Sequence, residues 1–430
     1  MKSLPDWLAF LESLHPKGQG GIELGLERVS RVKAELRQTQ YCPLIIVGGT
    51  NGKGSTCAYL EAIYSGAGYR VGCYTSPHLL EYNERVRVDR VAIDDATLCA
   101  AFAKVEVARQ AAGKLALTYF EFGTLAAWEV FAACRVDVII LEVGLGGRLD
   151  AVNAYDADCA IVAGIALDHT DWLGSTRDAI GFEKAGIYRS GRPAICADPE
   201  PPQSLLDHAT AIGADLQRIG RDFDYVINEA RWTFQGCYNV RYEDLPTPAL
   251  RGSGQLRNAS AVLAAIETLQ GQRPVTIQAI HRGLLEIELP GRFQVLSPGA
   301  GLPTVILDVA HNPQAVAGLA ENLDAMDGFA QTIAVVGMLG DKDIPGALAA
   351  MAGKIDIWLL AGLDVPRGAP VEVLAAVVAN GNLGGRVECF AAPTDAFMHA
   401  AKLAGENDRI LAFGSFYTVA AVMRALKKRA

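Results

Sequence analysis

VGGTNGKGST is the sequence from Val47 to Thr56, between an apolar run at Leu44–Val47 and an apolar helical pattern at Cys57–Ile63. A buried strand, a glycine-rich turn and a helix that begins with hydroxyl residues bring backbone N–H groups and the positive end of a helix to one point. Lys53 adds a full charge there. A turn alone needs neither a lysine nor so many glycines. The stretch therefore predicts a binding site for a phosphate chain.

This phosphate loop departs from the strict P-loop pattern, in which a glycine and four further residues precede Gly-Lys-Ser/Thr. Val47 occupies the first glycine position, and Gly54 separates Lys53 from Ser55. The site should therefore belong to a distinct class of nucleotide-binding proteins.

A second buried strand is predicted at Val136–Val143, with Glu142 near its end and a glycine-rich turn directly after it. An acid at the end of a buried strand beside a phosphate loop is typical of a metal-binding carboxylate. The spacing alone is equally compatible with a charge that faces solvent. The adjacent glycine-rich turn favours the metal role.

Two further predicted strands end in polar residues. Val71–Tyr74 leads into Thr75-Ser76-Pro77-His78, and Ala160–Ala166 leads into Asp168 and His169. Open parallel sheets bind ligands at the carboxyl ends of their strands. A lone histidine is more often structural, but the acids beside His169 favour a metal or substrate role.

The composition limits the partners and the compartment. The net charge is −9 and no cluster of Lys and Arg occurs, which argues against nucleic acid or anionic lipid as a partner. Nine scattered cysteines without a Cys-x-x-Cys pair are typical of reduced thiols. No apolar span approaches the roughly 20 residues that a membrane helix needs. We therefore expect a cytoplasmic protein that acts on small molecules. A monomer is also expected, although the composition does not determine the oligomeric state.

The organisation predicts an α/β protein with two domains. A helix, a loop containing Gly18, Gly20 and Gly21, and a second helix precede residue 40, and a small appended sheet is expected between 215 and 250. Five strand–helix units follow Leu289–Arg292, which predicts a second doubly wound sheet. The fold class is therefore a P-loop-type parallel-sheet ATPase domain, residues 1–290, followed by a smaller doubly wound (Rossmann-like) C-terminal domain, residues 291–430.

In their order and spacing the motifs resemble the bacterial dihydrofolate synthase/folylpolyglutamate synthases of the Mur ligase superfamily, over almost the whole chain. Ser55 and Thr75 depart from the family's residues without loss of a hydroxyl. The matching motifs are GTNGKGS (49–55), SPHL (76–79), ERVRV (84–88), TYFE (118–121), LEVGLGGRLDA (141–151), ALDHTDWLG (166–174), EKAGI (183–187), LPGRFQ (289–294) and DVAHNP (308–313).

The resemblance implies an ATP-dependent ligase that adds L-glutamate to dihydropteroate and to the γ-carboxylate of tetrahydrofolate through an acyl phosphate. The implied catalytic residues are Lys53, Glu142, His169 and Lys184. The implied ATP-binding residues are Thr50, Asn51, Gly52, Lys53, Gly54, Ser55, Asn258, Arg292 and Asp308. The implied ligands of two Mg²⁺ ions are Ser76, Glu142, His169 and Lys184, the last as a carbamate. The implied pterin pocket contains Thr118, Tyr119, Phe120, Glu121, Leu149, Asp150 and Ala151. The C-terminal domain is expected to present the incoming glutamate.

Several alternatives remain at this point. Within the same class they are a folylpolyglutamate synthase without the second activity, or a Mur-type amino-acid ligase. Outside it they are a P-loop phosphotransferase that makes no amide and a non-catalytic nucleotide-binding module. For Lys184, the local sequence alone favours a solvent-facing residue near a helix end. Only the EKAGI match supports the carbamate.

Overall fold

The structure, a computed structural model, describes residues 2–16, 21–229, 231–252, 254–296, 299 and 301–429. Gly18 and Gly20 of the predicted loop lie outside these residues. The chain divides into two compact units. The first contains Met1–Ala166, Thr170–Ala249 and Leu256–Ile287, and the second contains Leu167–His169, Leu250–Gln255 and Glu288–Ala430.

The helices and strands of the first unit follow one another from the N-terminal helices to the helix pair before residue 287. They are α1 (Leu4–Leu14), α2 (Glu27–Glu35), β1 (Leu44–Gly48), α3 (Lys53–Gly66), β2 (Val71–Tyr74), β3 (Val86–Val88), β4 (Val91–Ala92), α4 (Asp95–Ala111), α5 (Tyr119–Cys134), β5 (Val138–Glu142), β6 (Cys159–Val162), α6 (Thr170–Leu173), α7 (Arg177–Ala185), β7 (Pro193–Cys196), α8 (Gln203–Ile212), β8 (Asp215–Arg218), β9 (Asp224–Asn228), β10 (Arg231–Gln235), β11 (Arg241–Pro246), α9 (Gln255–Leu269) and α10 (Ile277–Glu286).

The main sheet of the first unit has the strand order β4-β3-β2-β5-β1-β6-β7-β8. The strands from β2 to β8 in this order pair in parallel, and β3 and β4 form an antiparallel edge. Every residue of β1 and β5 is buried, as expected for strands of a parallel sheet that is covered on both faces. The predicted parallel-sheet domain is confirmed.

The predicted small sheet is present as an antiparallel sheet in the order β11-β10-β9. Its predicted range was too wide, because β8 pairs in parallel with β7 in the main sheet. The β7–α8–β8 segment is a strand–helix–strand unit, which returns the chain to the same sheet. Short β-like runs do not reveal which of two sheets they join.

The second unit alternates strands and helices after one initial strand. Its elements are β12 (Gln294–Leu296), β13 (Thr304–Leu307), α11 (Pro313–Asp324), β14 (Thr332–Val336), α12 (Ile344–Ala349), β15 (Ile357–Ala361), α13 (Val371–Asn380), β16 (Arg386–Phe390), α14 (Pro393–Leu403), β17 (Arg409–Phe413) and α15 (Phe416–Arg429). The sheet order is β12-β13-β17-β14-β15-β16, parallel except for β12. The five predicted strand–helix units and the doubly wound topology are confirmed.

Two predictions from composition can be compared with the structure. The described chain includes all nine cysteines, and every thiol is free. Among the described helices, none is both long enough and apolar enough to cross a membrane.

Glu267 on α9 is a partly buried carboxyl that predicts a pH-dependent stability. Its Oε1 has no hydrogen-bond partner in the described chain, and a Cβ at Gly236 would lie 2.5 Å from that atom. Burial raises the pKa of Glu267 from 4.5 to about 8. Between these values the folded state keeps a proton that the unfolded state has lost, so the free energy of unfolding falls as the pH rises.

We therefore expect Glu267→Gln to raise the free energy of unfolding near pH 8 by about 1 kcal/mol, after allowance for the partial exposure of the side chain. Near pH 4 the variant and the native chain should be alike. Urea denaturation at both pH values measures the difference. The exposed Glu406→Gln is the matched control, and an equal effect of the two variants at both pH values would contradict the role of Glu267.

Candidate functional site

The phosphate loop connects the end of β1 to the first residue of α3. Gly49 has φ 141° and Gly52 has φ 92°, backbone conformations that favour glycine. A Cβ at Gly52 would lie 2.7 Å from Oδ1 of Asn258, so this position requires a glycine. Asn258, one of the implied ATP-binding residues, therefore lies against the loop.

The backbone after β6 holds the loop from the other side. The Thr50 N–H donates to the Gly164 carbonyl at 2.7 Å. The Thr50 hydroxyl donates to the Ala166 carbonyl and accepts from the Ala166 N–H, both at 3.1 Å. The predicted strand Ala160–Ala166 was too long, because β6 ends at Val162 and the next residues bond to the loop instead of extending the strand.

Lys53 extends back over the loop from the start of α3. Its Nζ donates to the Gly49 carbonyl at 3.0 Å and to the Thr50 carbonyl at 3.2 Å. Ser55 lies buried in the first turn of the same helix. The positive charge and the helix N-terminus therefore act at one place, which is the arrangement that binds a phosphate chain.

Glu142 is the last residue of β5 and pairs in register with Val47 of β1. This pairing places it beside the start of the phosphate loop. The carboxylate is buried, and its Oε2 accepts a hydrogen bond from the Ser76 N–H at 3.0 Å. Ser76 and Glu142 are therefore together, at the carboxyl ends of two neighbouring strands. Their oxygen atoms fit a magnesium ion, which prefers oxygen ligands.

The implied pterin segment Thr118–Glu121 begins α5. Thr118 is the N-cap of this helix: its hydroxyl accepts from the Glu121 N–H at 3.2 Å, and the Glu121 carboxylate accepts from the Thr118 N–H at 2.7 Å. The Phe120 ring lies against Gly144, where a Cβ would approach the ring to 2.8 Å. This segment is therefore close to the turn that follows Glu142.

Asp150 is a buried carboxyl in the second implied pterin segment. Its oxygens accept from the Leu145 N–H at 2.9 Å and the Val152 N–H at 3.0 Å. Burial raises the pKa of Asp150 to about 7, although these hydrogen bonds and the charge of Lys53 act in the opposite direction. Near neutral pH this carboxyl can donate or accept a hydrogen bond. Leu149 bonds through its carbonyl to the Gly25 N–H at 3.1 Å, and Ala151 is buried.

Arg28 contributes to the same cluster and was not predicted. Its Nη2 lies 2.9 Å from Oε1 of Glu121, and its guanidinium also bonds to Glu23. The two ion pairs attach the start of α2 and the segment before it to the pterin segment. Because Arg28 and Glu121 are far apart in the sequence, no local pattern indicates this contact.

Lys184 lies in the last turn of α7 and is only 3% exposed. The solvent-facing alternative is therefore wrong. The helix end packs against the turn after β5, where a Cβ at Gly147 would lie 3.1 Å from the Lys184 Cα. Among the described residues, no group of three or more His, Cys, Asp and Glu side chains could hold a metal. A metal site here would need other oxygen donors as well.

His169 belongs to a charged cluster in the second unit. Asp168 Oδ1 accepts from the Lys342 Nζ at 2.7 Å, and Lys342 Nζ lies 3.4 Å from Nε2 of His169. Nε2 of His311 lies 3.6 Å from Asp168 Oδ2. Burial raises the pKa of Asp168, but the hydrogen bond from His311 and the charges of His169 and Lys342 outweigh it and hold the pKa well below its usual range.

Lys342 had no predicted role, and His311 was noted only as part of a motif. Lys342 follows Gly340 and Asp341 in the turn between β14 and α12. The sequence feature that could have indicated Lys342 is the polar turn after a parallel strand, because ligand contacts concentrate at that edge of a sheet.

Arg292 and Asp308 also lie together in the second unit. The Asp308 carboxylate accepts from the Phe293 and Ala310 N–H groups, both at 2.7 Å. Burial raises the pKa of Asp308, and the Arg292 charge opposes that shift. The Arg292 guanidinium lies 5.1 Å from the centre of the Phe416 ring.

Comparisons with known proteins show which family this chain resembles. The family described as Mur ligase, glutamate ligase domain matches residues 291–416. The dihydrofolate synthase/folylpolyglutamate synthase of Escherichia coli is 46% identical over 427 residues, which cover 99% of this chain and 96% of that protein. The structure of E. coli FolC in complex with DHPP and ADP matches with a TM-score of 0.91 and 44% identity, covering 100% and 98% of the two chains. The structure of a bifunctional folylpolyglutamate synthase/dihydrofolate synthase with Mn, AMPPNP and L-glutamate bound matches with a TM-score of 0.89 and 43% identity, covering 99% of this chain and 98% of that one.

Proposed function

Since this chain belongs to the dihydrofolate synthase/folylpolyglutamate synthase family, we propose that it is an ATP-dependent ligase that adds L-glutamate to dihydropteroate and to the γ-carboxylate of tetrahydrofolate. The observation that carries the proposal is the pairing of β1 with β5, which brings Glu142 beside a phosphate loop over which Lys53 extends. The nucleotide, metal and glutamate bound by the structural relatives support the same reaction.

The chemistry explains why such a loop is needed. Amide formation from a carboxylate and an amine is uphill in water, so the carboxylate first attacks the γ-phosphoryl group of ATP and releases ADP. Lys53 and the N–H groups at the start of α3 stabilise the negative charge of the transferred group. The glutamate amine then attacks the resulting acyl phosphate, which yields the amide, phosphate and a proton.

Ser76, Glu142 and Lys184 are the magnesium ligands in this proposal, with His169 as a further ligand carried over from the resemblance. Two ions are proposed, and each would offset phosphate charge when bound. Asn258 contributes to the nucleotide site beside Gly52, and Arg292 and Asp308 are carried over as nucleotide-binding residues. The pterin pocket consists of Thr118–Glu121 and Leu149–Ala151.

The proposal also covers the organisation of the chain. We assign residues 1–290 to the ATP-binding and pterin-binding domain and residues 291–430 to the glutamate-ligase domain, although Leu167–His169, Leu250–Gln255 and residues 288–290 belong to the second compact unit. The family match from residue 291 supports this division. A net charge of −9 argues against nucleic acid or anionic membranes as partners. A cytoplasmic monomer that acts on small molecules is part of the proposal.

The decisive experiment offers purified protein ATP, Mg²⁺ and radiolabelled glutamate with dihydropteroate or tetrahydrofolate in separate reactions. We expect labelled product with each acceptor, and ADP release that requires both glutamate and the acceptor. Product with tetrahydrofolate alone would reduce the proposal to a folylpolyglutamate synthase. Glutamate-independent phosphoryl transfer to another acceptor would contradict it.

We further propose that Lys184 carries a carbamate. A protonated lysine repels a cation, whereas a neutral amine can take up carbon dioxide and become an anion with the oxygen donors that magnesium prefers. The burial of Lys184 supports the carbamate, because the side chain is not exposed to solvent at the helix end.

Lys184→Ala should lower turnover about 100-fold, because it removes a proposed metal ligand and even the outer-shell partners of metal ligands are typically worth 10- to 100-fold. Added short carboxylates should restore part of the activity, because they can occupy the vacated position. Mass spectrometry of the native chain under bicarbonate should detect the added carbon dioxide. A bare amine in a metal-bound complex formed under bicarbonate would contradict the carbamate.

A further inference from the structure

Arg85 lies in the ERVRV motif, to which the proposed function assigns no role. It ends the short 3₁₀ turn Tyr82–Arg85 before β3. Its guanidinium lies 5.3 Å from the centre of the Tyr82 ring and 5.5 Å from that of the Tyr119 ring. Its Nε donates to Nδ1 of His78 at 2.9 Å. These contacts fix the plane of the guanidinium and use only one of its nitrogens.

Arg85 differs from the other arginines of this region in its partners. Arg87 pairs with Glu61 at 2.8 Å, and Arg28 pairs with Glu121 at 2.9 Å. Within the described part of the chain, no carboxylate lies within ion-pair distance of Arg85, and Nη1 and Nη2 donate no hydrogen bond. A partly buried cation without an anion is unfavourable. The Nη1 and Nη2 groups of Arg85 can donate two parallel hydrogen bonds, which is the geometry that matches the two oxygens of a carboxylate.

The position of Arg85 relates it to both ends of the proposed acceptor site. Its carbonyl accepts from the Thr75 N–H at 2.9 Å, one residue before Ser76. Its side chain reaches Tyr119 in the proposed pterin pocket. Arg85 therefore contacts the segment that bonds to Glu142 through its backbone, and an aromatic residue of the proposed pterin pocket through its side chain.

We propose that Arg85 binds the α-carboxylate of a folate acceptor, the carboxylate that does not react. This proposal rests on the proposed function. Dihydropteroate has a single carboxylate, and that group must react with ATP. The terminal glutamate of tetrahydrofolate has two, so the α-carboxylate stays ionised while the γ-carboxylate reacts and requires a cationic partner. Arg85 would thus recognise the folate acceptor in the second activity without a role in the first.

The test compares Arg85→Gln and Arg85→Lys with Arg90→Gln, in which the altered arginine is exposed and bonds to Glu286. For Arg85→Gln we expect the KM for tetrahydrofolate to rise about 10- to 100-fold, the usual effect of losing hydrogen bonds to a charged group. The kcat, and the KM for dihydropteroate, should stay close to the native values. Arg85→Lys should retain part of the affinity, and Arg90→Gln should match the native chain.

A third acceptor, tetrahydropteroyl-4-aminobutyrate, isolates the α-carboxylate because it keeps the terminal carboxylate and lacks the α-carboxylate. The native chain should bind it about 10- to 100-fold more weakly than tetrahydrofolate. Arg85→Gln should not weaken that binding further. This comparison uses the native chain, so it remains informative if a variant fails to fold.

Two results with Arg85→Gln would overturn the role of Arg85: an equal loss with dihydropteroate and tetrahydrofolate, or no loss with either. The first would mean that Arg85 contacts a part that both acceptors share. Equal binding of tetrahydrofolate and the aminobutyrate analogue to the native chain would overturn it as well. A native chain that makes no glutamate adduct would instead contradict the proposed function, so the two failures are distinguishable.

Discussion

Lys53→Ala should abolish glutamate addition to both acceptors, with a loss in kcat/KM of about 1,000-fold or more, because charge stabilisation supplies most of the catalysis in phosphoryl transfer. Lys53 is the cation of the phosphate loop, and its Nζ is held by the Gly49 and Thr50 carbonyls. The ATP dissociation constant should rise as well. Radiolabel incorporation and calorimetric titration with ATP measure the two effects.

The fold should survive this change. The loop conformation depends on Gly49 and Gly52 and on the hydrogen bonds of Thr50 to the backbone after β6. The thermal midpoint of Lys53→Ala should therefore stay close to that of the native chain. Lys104→Ala removes an exposed lysine that pairs with Glu129 and is the matched control. Turnover close to the native value in Lys53→Ala would refute the phosphate-loop assignment.

The parallel sheets could be predicted because their strands carry a local signal. β1 and β5 are continuous apolar runs, and both are wholly buried. The polar residues at the ends of such runs indicated Ser76 and Glu142 as site residues. In the structure these two residues are joined by a hydrogen bond. This succeeds because parallel strands share an edge at which their carboxyl ends meet.

The contacts that could not be predicted depend on elements distant in the sequence. Arg28 meets Glu121, and Lys342 meets Asp168, only after the intervening elements have packed. Lys184 could not be placed for the same reason. Its local sequence predicts a solvent-facing helix end, but in the structure that helix end packs against Gly147. Residues 163–166 are apolar enough for a strand, yet the backbone groups of Gly164 and Ala166 bond to the loop. A local sequence pattern does not show whether a backbone group will bond to a neighbouring strand or to a loop.

Glu142→Gln should lower turnover about 1,000-fold at ordinary magnesium concentrations, on the scale of other groups that stabilise charge in a phosphoryl-transfer site. Glutamine keeps the shape of the side chain and an oxygen that can accept from the Ser76 N–H, so the local structure should be retained. It removes the negative charge that a divalent cation requires. The variant should therefore need much more magnesium for half-maximal activity.

A binding measurement separates this metal role from a structural one. Magnesium should tighten ADP binding to the native chain, and this gain should be largely absent in Glu142→Gln, while ADP binding without metal should change little. Glu129→Gln alters a carboxylate that bonds to Gln38 and should keep the full magnesium effect. An unchanged gain in Glu142→Gln would mean that Glu142 only orients Ser76, because a carboxylate that holds the cation cannot lose its charge without weakening the coupling between metal and nucleotide.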